Sequence, residues 1–166
     1  MLLNRHDAKD AKFKTECETE YIFTTAAQRT QRIWESKEAM ARVHVEPDCG
    51  NAPKKAFLRD FMIAFANGDT SFILDSVKDA VQWDMVGSRS AQGKADVEVM
   101  MREMMKTGVD EMTIETIITH GNAGSVNGVN VLIDGSRYGF CHVCTFSGLG
   151  KNGKLRQISS YVIAVS

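Results

Sequence analysis

VQWDMVGSRSAQG, residues 81–93, is the stretch on which the reading of this chain turns. It opens as a short strand over 81–86, with the acid Asp84 standing among apolar neighbours. Gly87 breaks the strand, and a loop of Ser, Arg and Gln leads to Gly93, where a helix begins. Strand alternation leaves two choices for the enclosed side: Gln82, Asp84 and Val86, or Val81, Trp83 and Met85.

Downstream, apolar residues at Val97, Met100, Met101, Met104 and Met105 recur at helical spacing and predict a helix over 94–107, closed by Gly108. The four methionines suit an adaptable binding surface, but at this spacing they also suit ordinary gap-filling core, which is the reading adopted. From Glu111 the period changes to two. Four strands are expected, over 112–120, 125–133, 138–146 and 155–165. Asp134-Gly135 is the strongest hairpin signal among their turns. Short turns make neighbouring strands antiparallel.

Upstream, Phe57, Leu58, Phe61, Met62 and Phe65 form one face of a helix that ends at Asn67-Gly68-Asp69. Asn51 or a neighbour is expected to cap its start, with Pro53 tolerated in the first turn. Asp69 or Thr70 caps a shorter helix over 71–77. Residues 43–45 suit a short strand. An apolar stripe from Ile22 to Met40 predicts an amphipathic helix over 16–42 that needs a surface to pack on. The expected division is an N-terminal, partly helical extension over 1–50 and an α+β domain over 51–166.

The totals narrow the function classes. The chain has 166 residues, 43% of them hydrophobic, enough for a real core. Its 20 basic and 21 acidic residues argue against a nucleic-acid or membrane-surface partner, which calls for a basic excess. No apolar run approaches the roughly 18 residues of a membrane span. The charged start, MLLNRHDAKDAKFK, lacks a signal-peptide core, so a cytoplasmic location is expected. Of Cys17, Cys49, Cys141 and Cys144, only the last two look like a motif. Residues three apart on a strand point to opposite faces, so they cannot grip one metal; they are read as free thiols, and no metal is expected.

The same alternation gathers Tyr138, Phe140, His142, Cys144 and Phe146 on one face. An imidazole among aromatics, together with an acid facing the same apolar space, is the physical recipe for proton transfer: low dielectric raises a carboxylate's pKa and lowers an imidazole's. The plainer reading is that Asp84 caps a loop and His142 is a hydrogen-bonded core residue.

The order helix, helix, strand, helix, four-stranded meander, with Asn67-Gly68-Asp69 after Phe65, Trp83-Asp84 before Gly87, and Gly93 at a helix start, resembles the nuclear transport factor 2-like superfamily over about residues 53–166. The resemblance implies an α+β cone-shaped roll, with helices packed in the concave face of a curved, mainly antiparallel sheet. Asp84-Met-Val-Gly87-Ser88 is similar to the segment that holds the general base of ketosteroid isomerases. It puts Asp84 in that base's place, Phe61 in place of their oxyanion tyrosine and His142 in place of their protonated aspartic acid. One donor is thereby lost and the other changed. Losing one oxyanion donor costs about 3 kcal/mol, which argues against true steroid isomerisation. The resemblance also takes in SnoaL-type polyketide cyclases and epoxide hydrolases. It implies a pocket for a small apolar molecule and cofactor-independent isomerase or cyclase chemistry, with Asp84 as proton shuttle and His142 as donor. Phe61, Phe65, Trp83, Tyr138, Phe140 and Tyr161 are the lining candidates. Homodimerisation through the sheet is expected. The rival reading is a non-catalytic ligand-binding or dimerisation module.

Overall fold

The computed structural model describes residues 40–47, 52–149 and 153–166. Most of the helix expected over 16–42 lies outside the described residues, as do Cys17, Cys49 and Asn51. The first described element is a strand, β1 (Arg42–Val45), which pairs in parallel with β4 (Val109–His120). The sheet therefore takes up residues from the segment assigned to the extension.

Helix α1 (Pro53–Ala66) begins with its proline in the first turn, where a missing N–H costs nothing. Ala52 is its N-cap and makes no side-chain hydrogen bond. Leu58, Phe61, Met62 and Phe65 are buried along one side, as their spacing predicts. Gly68 takes the left-handed conformation, φ +69°, that ends the helix. The Asp69 carboxylate then accepts from the Phe72 N–H at 2.9 Å and starts α2 (Thr70–Ser76).

Strand β2 (Val77–Met85) starts four residues earlier than expected, directly at the end of α2. The expected loop before Gly93 is a strand: β3 (Arg89–Gln92) turns back antiparallel on β2. Its RSAQ sequence has one apolar residue, too little for a period to show, and the pairing comes from the turn at Gly87. Helix α3 (Lys94–Met104) follows and buries Val97, Met100 and Met101, in keeping with a core role for the methionines.

The meander β4, β5 (Ala123–Leu132), β6 (Arg137–Phe146) and β7 (Leu155–Ala164) is antiparallel throughout. The chain closes the sheet by laying β7 parallel to β2, which gives the order β1-β4-β5-β6-β7-β2-β3. Three helices pack against this curved, mostly antiparallel seven-stranded sheet. The core fills the space between them, with Leu58, Ile73, Val81, Met101, Leu155 and Ile158 almost wholly enclosed. Among the described residues no helix is long and apolar enough to cross a membrane.

Candidate functional site

Register decides which side of each strand faces the helices. In β2, Val81 and Trp83 are buried, whereas Gln82 and Asp84 are exposed. Asp84 pairs with Ser159 of β7, Ser159 with Val143 of β6, and Val143 with Ser125 of β5. Val143 is 45% exposed, so this whole row stands on the outer face. The next row, Met85, Ser160, His142 and Val126, stands on the inner face. The structure therefore does not bring Asp84 and His142 together; the pleat puts them on opposite sides of one sheet. Tyr161 pairs with Cys141, is 48% exposed and also faces outward, away from the inner lining.

The other candidates gather on the inside. His142 is buried, with the Phe140 ring stacked at 5.1 Å and the Phe65 ring at 6.4 Å. Phe61 lies 5.9 Å from the Trp83 ring. Tyr138, two residues before Phe140 on the same face, is only partly buried. The wall opens along β7: Val162, paired with Phe140, is 42% exposed although it shares the inner face.

One buried polar chain runs through this apolar lining. The Trp83 indole Nε1–H donates to Ser160 Oγ at 2.8 Å, and Ser160 Oγ lies 2.7 Å from His142 Nδ1. Burial lowers the His142 pKa from 6.5 to about 4, so the ring is neutral at pH 7. The indole can only donate, and the Ser160 hydroxyl has no other acceptor among the described residues. The hydroxyl proton therefore goes to Nδ1, and the imidazole carries its own proton on Nε2. No described residue accepts from that Nε2–H. The arrangement is a neutral donor, fixed in tautomer and orientation, on an aromatic wall. It can hydrogen-bond a carbonyl, ether or hydroxyl oxygen in a site of low dielectric.

Ser160 was not among the residues that sequence reasoning selected. The alternation from Ile158 gives its face, but its two partners lie 18 and 77 residues away. Cys144 is on the inner face, and burial pushes its thiol up to about 12, which makes it a small apolar filler. Cys141 is partly exposed on the outer face, near Ser125. Among the described residues no group of three or more His, Cys, Asp and Glu side chains is arranged to hold a metal ion.

No protein-family model matches the chain, and no curated protein matches it. Solved structures are similar. An NTF-2 like protein of unknown function from Burkholderia xenovorans superposes with a TM-score of 0.59 at 17% identity, over 69% of this chain and 85% of that one. The epoxide hydrolase/cyclase-like enzyme SalBIII, which has a role in pyran ring formation in salinomycin, gives a TM-score of 0.56 at 13% identity, over 66% and 90%. An LEH-like epoxide hydrolase from M. tuberculosis gives 0.53 at 19% identity, over 67% and 83%. With three helices on a curved sheet of this strand order, and with these neighbours, the chain has the nuclear transport factor 2-like α+β cone fold.

Proposed function

We propose that this protein binds a small, largely apolar molecule on the concave face of its sheet, gripping an oxygen of that molecule with the Nε2–H of His142. The observation that carries this reading is the buried relay from Trp83 through Ser160 to His142. A neutral imidazole has one donor and one acceptor nitrogen; here Ser160, itself held by Trp83, partners Nδ1, and Nε2 has no partner among the described residues. The similar SalBIII and the similar epoxide hydrolase are small-molecule enzymes, which supports the same reading. Polarising a carbonyl next to a carbon that loses a proton is the chemistry such a donor serves. Asp84, on the outer face, has no part in the binding step.

The test is calorimetric titration with 4-phenylcyclohexanone, a neutral apolar ketone. Replacing His142→Phe keeps an aromatic among aromatics and removes the donor, so affinity falls about tenfold, the worth of one well-made hydrogen bond in a dry site. Ser160→Ala weakens binding less, because the ring survives but its orientation is no longer fixed. Asp84→Asn leaves affinity unchanged. Equal affinity in the wild type and His142→Phe would sink the proposal.

The outer face supports a second, compatible role. Ile118, Val143, Tyr161 and Ile163 are exposed there on three strands. We infer that the protein pairs with a second copy through this face of the sheet, since monomers seldom leave such a patch in water.

A further inference from the structure

Asn130 sits on β5 in the inner row, between buried Gly128 and partly buried Leu132, opposite Tyr138 on one side and Met112 on the other. It is only 8% exposed. Its Oδ1 is the one fully enclosed side-chain oxygen or nitrogen without a hydrogen-bond partner among the described residues. Such an atom costs stability, because the water it loses on folding is not replaced. Apolar residues would fill the position at no such cost, so the amide suits a partner that the described residues do not supply.

Its position relative to His142 indicates what that partner looks like. Asn130 pairs with Tyr138, and Tyr138 and His142 are four residues apart on β6, about 13 Å at the rise of a strand. Between them lie Phe140 and, across from it on β5, Gly128, whose bare Cα the Phe140 ring covers. On β7 the matching position is the half-exposed Val162. The inner face thus carries one strip with a donor at one end, an aromatic and aliphatic middle, and an acceptor at the other end.

We propose that Asn130 is a second recognition residue on this face, and that the ligand is an elongated apolar molecule with an oxygen acceptor at one end and a hydroxyl or N–H donor at the other. The acceptor meets His142, the ring system lies on Phe140 and Val162, and the donor meets Asn130 Oδ1. This inference rests on the reading that His142 anchors a ligand on the concave face.

A matched pair of probes separates the two ideas: 4-phenylcyclohexanone and its para-hydroxyphenyl analogue. They differ only in a hydroxyl at the end remote from the ketone. The hydroxylated ketone binds the wild type about tenfold more tightly than the plain one. Asn130→Leu abolishes that preference while retaining the affinity for the plain ketone, and Asn130→Asp, which keeps an acceptor, retains part of it. The free Asn130→Leu protein also melts several degrees higher than the wild type, because an unpaired buried amide has been replaced by hydrocarbon. If the wild type binds both ketones equally, the inference about Asn130 is overturned while the His142 anchor stands. If neither binds at millimolar concentration, both are overturned. A lower melting temperature in Asn130→Leu overturns the inference as well, since the amide would then be paired within the fold.

Discussion

Burial holds His142 at a pKa of about 4, against 6.5 for an exposed imidazole, and this ties stability to pH through one side chain. Above pH 6.5 the ring is neutral in both folded and unfolded chains and contributes no slope. Between about 6.5 and 4 the unfolded chain takes up a proton that the folded one refuses, so stability falls as pH falls. Below about 4 both are protonated and the slope ends. The full loss is on the order of 3 kcal/mol for a shift of this size. Urea unfolding of the wild type and of His142→Phe across this range isolates the effect, because the carboxylates titrate alike in both. Parallel stability curves would show that His142 titrates normally and is not dry. At this scale the sequence was half legible. The alternation of β6 assigned Phe140, His142 and Cys144 to one face without help. For β2 it left two faces open, and only pairing with β7, some seventy-five positions away, turns Trp83 inward and Asp84 outward. Alternation gave the face of Ser160, but nothing local marked its role or that of Asn130, because a small polar residue in a strand gains its meaning from strands that sequence reading cannot align.

Single elements are held to their places by backbone contacts that admit no side chain. At Gly128 of β5, a Cβ would stand 1.9 Å from the Thr113 carbonyl oxygen and 2.9 Å from Phe140 Cζ. The irregular register of β4 between Ile114 and Thr116 lies beside it, and the Phe140 ring covers the gap from the next strand. Gly128→Ala forces the β4 backbone away or tilts Phe140 off the inner wall. The expected cost is about 2 kcal/mol or more, of the order of overpacking elsewhere. Chemical denaturation measures it, and a cost near zero would mean that the two strands are free to separate there. Long, strongly periodic elements were readable from the sequence to within a few residues: α1 from its phenylalanines, β6 from its aromatics, and the β5–β6 hairpin from Asp134-Gly135. The polar strand β3 was not, since nothing in Arg-Ser-Ala-Gln marks it apart from the company of β2.

At the scale of the whole molecule, the two faces of the sheet differ in what covers them. The inner face is packed against the helices, and Val162 of β7 is its half-exposed edge beside the proposed ligand strip. The outer face has no helix on it among the described residues, and its exposed apolar residues form the proposed contact between two copies. A charge in the middle of that contact reports on it. Ile163→Asp is expected to convert a dimer into a monomer in light scattering over a concentration series, while the melting temperature of the folded chain changes little, since Ile163 is exposed. A wild type that stays monomeric at every concentration would refute the pairing. The fold class was legible at this scale from element order alone, because helices followed by an antiparallel meander have few ways to bury both apolar faces.

The parallel seam between β2 and β7 has a kinetic consequence. The helices and the β2–β3 hairpin can form from local contacts while the chain is still being made, but β2 meets its other neighbour only once Leu155–Ala164 exists. Contacts so far apart in sequence are slow to form, because the loop between them must be closed before any of them adds stability. Trp83, Ser160 and His142 sit on the three strands that this last step joins. The seam that completes the sheet therefore also assembles the donor, so a half-folded chain has no oriented imidazole. A molecule that grips His142, as proposed, would slow the reopening of the seam and so act as a brake on unfolding as well as a guest.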